Sequence, residues 1–320
     1  MMVRAAALLP FLVFIISAQD TTLRTTVRLV VAPTTVTDRQ GKYVEGLTER
    51  EFRLSDNGVP RDLHVDFAYV PISLVIAVQA SEFSAAALNK LHRIGGMIEP
   101  LVTGERGEVA VVAFDSEVRV AQDFTSSFDA VQAAIKTLRP GDRGSKMIDA
   151  VSESIRMLAA RPAERRRVLL VFSEARDRSS KSKLEDVVTR AEQQNVTIYP
   201  VTYSAYWTAF TAKPGTTPPP SSYGIDIIAI IKEIGQLAKT NSALAFSKYT
   251  GGRQLSFLKQ KSLEEAVTRI GEELHSQYLL SFPAGATDDA LFHRIEVTLP
   301  GRADLTVRTR PGYWMSVPEM

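Results

Sequence analysis

The chain has 320 residues, 45% hydrophobic and 23% charged, an ordinary globular mixture that excludes a wholly disordered chain, a collagen and a multi-span membrane protein. Lys and Arg total 38 against 36 Asp and Glu, a net charge of +2. That balance argues against nucleic acid as a partner, which needs a strong basic excess. The absence of cysteine removes Cys nucleophiles, thiolate metal sites, disulfides and lipid attachment through Cys.

Residues 1–18 read as a signal peptide. Arg4 precedes an apolar run from Ala5 to Ile16, small Ser17 and Ala18 follow, and polar Gln19 and Asp20 come next. The run is about 12 residues, short of the roughly 20 that span a bilayer. The expectation is an exported protein, periplasmic or secreted, with no transmembrane segment after cleavage.

Residues 22–68 read as a β segment. TVRLVVAPTTVTD is β-branched and partly alternating; Asp38–Gly41 is a turn signal. GLTEREF suits a short helical turn with Thr48 as cap and Glu51 three residues on. Asp56, Asn57 and Gly58 form a further turn before LHVDFAYV, a returning strand.

Residues 70–275 change rhythm. SLVIAVQAS, RRRVLLVFSE and NVTIYPVTY are continuous apolar runs of the kind buried on both faces of a sheet, and EVAVVAF with EVRVAQDF suggests a hairpin. Between them, Ala85–Leu101, Phe128–Leu138, Asp149–Ala159, Lys183–Gln194, Asp226–Thr240 and Leu263–Leu274 carry helical spacing. The alternation predicts a doubly wound α/β domain with a mainly parallel sheet. GGRQLSF suits an edge strand, its glycines ending a helix in a left-handed cap.

Residues 276–316 return to strands: SQYLLSF, FHRIEVTL and DLTVRTRPGYW. Neither flank buries much surface alone. The two are therefore expected to pair into one small β domain, into which the α/β domain is inserted. Ala205–Gly224 breaks the pattern with four prolines and the aromatic residues Tyr206, Trp207, Phe210 and Tyr223; a long loop of this kind is often functional.

Catalytic constellations are missing from the sequence. His64, His92, His275 and His293 are scattered and none has the spacing of a zinc hydrolase. Two S-x-x-K matches, at Ser180 and Ser256, lack companion motifs. Arg165–Arg167 read as a solvated loop, Glu264, Glu265, Glu272 and Glu273 as the polar face of a helix, and Phe52, Phe67, Phe114 and Phe172 as core.

The α/β stretch resembles a von Willebrand factor type A domain. VTDRQGKYVEGLTEREFRLSDNG before it, with QYLLSF and LTVRTRPGYW after it, resembles a group of exported bacterial proteins that carry such a domain between β-rich flanks. Many type A domains hold a divalent ion on D-x-S-x-S after the first buried strand, a Thr on a second loop and an Asp on a third. Hydroxyl and carboxylate oxygens of that kind suit Mg²⁺. This sequence departs from the pattern. Gln79 stands at the first Asp, Ser81 keeps the middle hydroxyl, Phe83 takes the last Ser position with Ser84 one place late, Ser145 stands for the Thr and Glu174 for the final Asp. Lys146 and Arg176 lie beside these positions.

The resemblance implies a non-catalytic binding module that docks another protein of the envelope or extracellular space through the strand-end loops, and the departures from the pattern imply that it does so without metal. Its docking residues are expected among Arg143, Lys146, Arg176, Arg178, Tyr206, Trp207 and Phe210, a basic and aromatic set suited to an acidic or extended partner. The alternative is a Mg²⁺- or Mn²⁺-dependent binder with a relaxed site on Gln79, Ser81, Ser145 and Glu174.

Overall fold

A computed structural model describes residues 29–66, 70–203, 227–284 and 292–315. The signal segment, Phe67 and the aromatic residues of Ala205–Gly224 lie outside the described residues.

The central sheet has six strands: β5 (Ile72–Gln79), β6 (Glu108–Phe114), β7 (Val118–Thr125), β8 (Arg166–Ser173), β9 (Val196–Tyr203) and β10 (Leu255–Phe257). Their order is β10-β9-β8-β5-β6-β7, parallel throughout except for the β6–β7 hairpin. All eight residues of β5 are buried. Leu74, Ile76 and Val78 point into one core and Val75 and Ala77 into the other, the two-residue alternation of a strand covered on both faces. The first core packs α1 (Ala85–Leu91), α2 (Phe128–Thr137) and α7 (Gln260–Ser276); the second packs α3 (Met147–Ala159), α4 (Leu184–Gln193), α5 (Ile227–Thr240) and α6 (Ser242–Thr250).

One helical expectation changes and one helix is added. The pattern over Ala85–Leu101 does not form one helix: α1 stops at Leu91, a 3-10 turn follows at Gly95–Met97, and a wider π turn runs Glu99–Thr103. Gly95-Gly96 and Pro100 interrupt the hydrogen-bond ladder. Helix α6, marked in the sequence only by its glycine cap, is buried nearly all round, on Ala243, Ala245, Phe246, Ser247 and Tyr249, and so shows no amphipathic stripe. Gly251 ends it in the left-handed conformation.

The flanks build two four-stranded antiparallel sheets. One orders β13 (Thr306–Arg308), β1 (Leu29–Thr37), β11 (Tyr278–Pro283) and β4 (His64–Asp66). The other orders β14 (Gly312–Trp314), β12 (Phe292–Thr298), β2 (Arg53–Asp56) and β3 (Val59–Arg61). Each sheet mixes strands from both ends of the chain, and Val30, Phe52, Leu54, Tyr278, Leu280, Ile295 and Tyr313 form their shared core. LTVRTRPGYW is two strands rather than one. β13 pairs with β1 and β14 with β12, the chain changing sheets at Pro311, which cannot donate to a ladder.

Buried polar groups tie these layers together and correct two readings. Arg165–Arg167 are not solvated. Arg165 donates to Ser73 and the Ile72 carbonyl, Arg166 is buried against the Leu274 carbonyl and Gln277, and Arg167 caps carbonyls of Ala159, Arg161 and Gln194. Glu273 does not face water; its side chain is 1% exposed and pairs with Arg253 at 3.0 Å and Arg308 at 2.5 Å. In the second sheet one residue from each strand meets at buried Asp56. His293 Nδ1 lies 2.8 Å from Asp56 Oδ1, the Tyr313 hydroxyl 3.0 Å and Arg61 3.2 Å from Oδ2.

Candidate functional site

Strands β5, β8 and β9 are parallel, so their C-terminal ends share one rim, and chain direction switches at β5, which has β6 on one side and β8 on the other. Open α/β sheets bind ligands in the crevice at such a point. Three turns meet there: Ala80–Ser84 after β5, residues 140–146 before α3, and residues 174–182 after β8.

Bonds between backbones hold the turns together. Gly141 N donates to Ala80 O at 2.7 Å, Glu82 N to Asp142 O at 3.0 Å and Arg178 N to Ser145 O at 3.1 Å. Gly144 has no room for a side chain, because a Cβ there would lie 2.4 Å from the Ser116 backbone. The acidic residues of the rim are consumed in shaping it. Asp142 accepts from Ser116 and Gly144, Asp149 from the N–H groups of Lys181 and Ser182, and Asp177 from Ile148 and Ser180. Burial works to raise the Asp149 carboxyl, but hydrogen bonds from Ser182 and Lys181 outweigh it and hold it below its ordinary value.

Gln79, Ser81, Ser145 and Glu174 are all buried at this rim, and three of them are bonded together. Gln79 Nε2 donates to Ser81 Oγ at 3.0 Å, and Gln79 Oε1 accepts from Glu174 N at 2.9 Å. One neutral amide thus donates to one turn and accepts from another, which a carboxylate, an acceptor only, cannot do. Ser84 turns inward, taking the Ser81 N–H at 2.8 Å and donating to Ser81 O at 2.7 Å. Phe83, whose place the resemblance gives to a hydroxyl, points outward and is 48% exposed.

Arg178 closes the arrangement. Its Nη2 pairs with Glu174 Oε1 at 3.1 Å, and its guanidinium lies 5.8 Å from the centre of the Phe83 ring. Arg143 flanks the same ring at 6.0 Å and pairs with Glu82 at 2.7 Å. Its hydrogen bond and, after it, its positive charge hold the exposed Glu82 carboxyl below its ordinary value. Of the cations expected to dock a partner, Arg143 and Arg178 therefore already carry internal partners. Lys146 is half-buried at the start of α3, where its charge also lowers Asp149, and Arg176 is exposed. Tyr206, Trp207 and Phe210 lie outside the described residues; β9, which leads toward them, ends at this rim on Tyr203, whose hydroxyl burial pushes upward.

The oxygens do not fit a divalent ion. Gln79 Oε1, Ser81 Oγ and Glu174 Oε1 are engaged, which leaves Ser145 Oγ and Glu174 Oε2 as the buried atoms without a partner. Mg²⁺ needs near-octahedral oxygen geometry, usually with one or two carboxylates. Here a single carboxylate is half used by a guanidinium that would repel the ion. Among the described residues no three His, Asp or Glu side chains cluster as a metal site. The sequence placed the four polar positions but gave no sign that Arg178 reaches back to Glu174; an acid and a base four apart after a strand is the trace it leaves.

The rim, the mainly parallel sheet and its two helical layers define an α/β domain of the von Willebrand factor type A fold. Residues 82–214 match the family model described as "von Willebrand factor type A domain", a span that starts just after Gln79 and Ser81. Among solved structures, BatB from Bacteroides thetaiotaomicron aligns at 10% identity over 63% of this chain and 99% of its own, with a TM-score of 0.42. A von Willebrand factor type A protein from Catenulispora acidiphila aligns at 10% identity over 89% of this chain and 73% of its own, TM-score 0.45. Proximal thread matrix protein 1 from the mussel byssus, with a zinc-occupied MIDAS motif, aligns at 12% identity over 71% of this chain and 50% of its own, TM-score 0.46. No curated protein matches the chain.

Proposed function

We propose that this is an exported, non-catalytic module that binds another protein of the envelope or extracellular space through the strand-end rim, without a divalent ion. The observation that carries the reading is the exposed Phe83 ring framed by Arg143 and Arg178 above buried polar groups that bond to one another. An apolar ring between two guanidinium groups offers contact area and fixed donors together, the residue types that dominate binding energy at interfaces. Exposed Arg176 extends the same surface, and Tyr206, Trp207 and Phe210 follow the strand that ends there. An acidic or extended segment suits this set, because arginine grips a carboxylate through paired donors. The signal-like segment 1–18 supplies the route out of the cytoplasm. No helix among the described residues is long and apolar enough to cross a membrane.

The test is capture from an envelope extract with the mature chain as bait. The wild type retains a partner in the presence of EDTA. F83A, and the pair R176E and W207A together, lose it. Retention unchanged in both variants ends the proposal, and loss of the partner on chelation ends its metal-free part.

A further inference from the structure

We infer that the Arg178 guanidinium is the resident cation of this rim: a tethered positive charge that meets the electrostatic need served by a divalent ion in metal-bearing domains of this fold, so that the rim neither requires nor accepts one.

Four observations converge. Arg178 sits in one of the three turns at which the resemblance places metal ligands and reaches the other two, one through its backbone and one through its guanidinium. Its backbone N–H donates to Ser145 O at 3.1 Å, its Nη2 reaches Glu174 Oε1 at 3.1 Å, and its guanidinium lies 5.8 Å from the Phe83 ring centre in the turn after β5. The charges close without an ion. Gln79 is neutral, and the one carboxylate among the four positions, Glu174, is 11% exposed and faces the one guanidinium that pairs with it. The Gln79 amide supplies both a donor and an acceptor, bonding Ser81 Oγ and Glu174 N directly, where an ion would have needed acceptors alone. Finally, Arg178 keeps half of its side chain, 51%, in solvent, so its charge is not fully desolvated by the role. A tethered cation is always present at high effective concentration, and a second positive charge brought beside it is repelled.

Gln79 and Arg178 then form one device. A carboxylate at 79 would leave the guanidinium facing two acids, and loss of Arg178 would leave Glu174 buried and unpaired, which is costly. Reversing both changes should restore a cation site from residues already in place: a carboxylate at 79, Ser81 Oγ, Ser145 Oγ and Glu174.

The experiment uses Mn²⁺ alone as the probe and needs no partner, so its outcome is independent of the docking test above. Mn²⁺ binding to the mature chain is measured by electron paramagnetic resonance for wild type, Q79D, R178A and the double variant Q79D/R178A. The expected result is no binding to wild type and at least roughly tenfold tighter binding to the double variant than to Q79D, abolished when Ser81→Ala is added. Sub-millimolar binding to wild type that S81A removes would overturn the inference. So would equal behaviour of Q79D and the double variant, including no binding by either. If the double variant does not fold, R178Q carries the test by thermal melting. Its melting temperature should rise with MnCl₂ above a NaCl control of matched ionic strength, while the wild type shows no rise; an equal response in the two overturns the inference.

Discussion

Two polar regions at opposite ends of the α/β domain solve the problem of buried charge differently. At the junction with the β flanks, Glu273 is enclosed and held by Arg253 and Arg308, with the Tyr43 hydroxyl 3.4 Å away. Nearby, Arg166 is buried against the Leu274 carbonyl and Gln277. At the rim a single guanidinium, half in solvent, covers Glu174, and the Arg143–Glu82 pair is exposed on both sides. Breaking a pair built on a buried acid strands a charge, whereas breaking a pair exposed on both sides lets the survivor hydrate. The junction is therefore where the fold is held, and at the rim the outer pair of Arg143 and Glu82 is what can be exchanged at little cost in stability.

The comparison can be broken most readily at the junction. E273A should lose about 3 kcal/mol by chemical denaturation, the lower end for a broken buried pair, because Arg253 and Arg308 keep some access to solvent. A loss below about 1 kcal/mol would mean that the junction is no firmer than the rim. Next in size, D56N should cost about 2 kcal/mol, since His293, Tyr313 and Arg61 all converge on that carboxylate from the other three strands of the sheet. R143A should leave the denaturation midpoint nearly unchanged, because both halves of its pair with Glu82 lie in water, while weakening partner capture, a separation of stability from binding that E273A should not show.

Acid titration sharpens the contrast further. At Glu108 burial pushes upward, but hydrogen bonds from Arg161 and Ser73 and the charge of Arg165 outweigh it, so the carboxyl lies below its ordinary value. Asp149 at the rim is lowered as well. A lowered folded-state value gives stability that is whole above the unfolded-state value near pH 4 and lost as pH falls through the folded one. Denaturation midpoints should thus hold steady from neutrality to about pH 5 and decline below about pH 4. E108Q should flatten that decline, with D149N producing a smaller flattening. A decline that starts near pH 6 would assign the acid response to other groups.

Much of the architecture was legible because burial on two faces writes itself as unbroken apolar runs. SLVIAVQ, RRVLLVFS and VTIYPVTY are β5, β8 and β9 within two residues of expectation. The Thr48 and Glu51 capping pattern marked the short turn at Glu49–Glu51 correctly, because a cap is a local bond. Readings failed where the deciding partner is distant in sequence. Glu273 sits among four glutamates that all look like a polar helix face, and only Arg308 and Arg253 distinguish it. Arg166 looks like a loop cation until Gln277, more than a hundred residues later, packs beside it. Helix α6 escaped because total burial erases the periodicity by which a helix is recognised.

The sequence by itself determined the alternating α/β core, the strand-rich flanks and the substitution of Gln79, Phe83 and Glu174 at positions where an ion-binding pattern expects other chemistry. These are properties of residue type and spacing, and spacing survives in one dimension. Only the tertiary structure decided what the substitutions do together. The Gln79 amide joins two turns 95 residues apart, Phe83 faces outward, and Arg178 folds back over Glu174. Hydrogen bonds and ion pairs act over a few ångströms, and which groups come that close is settled by how the sheet brings its strand ends to one rim.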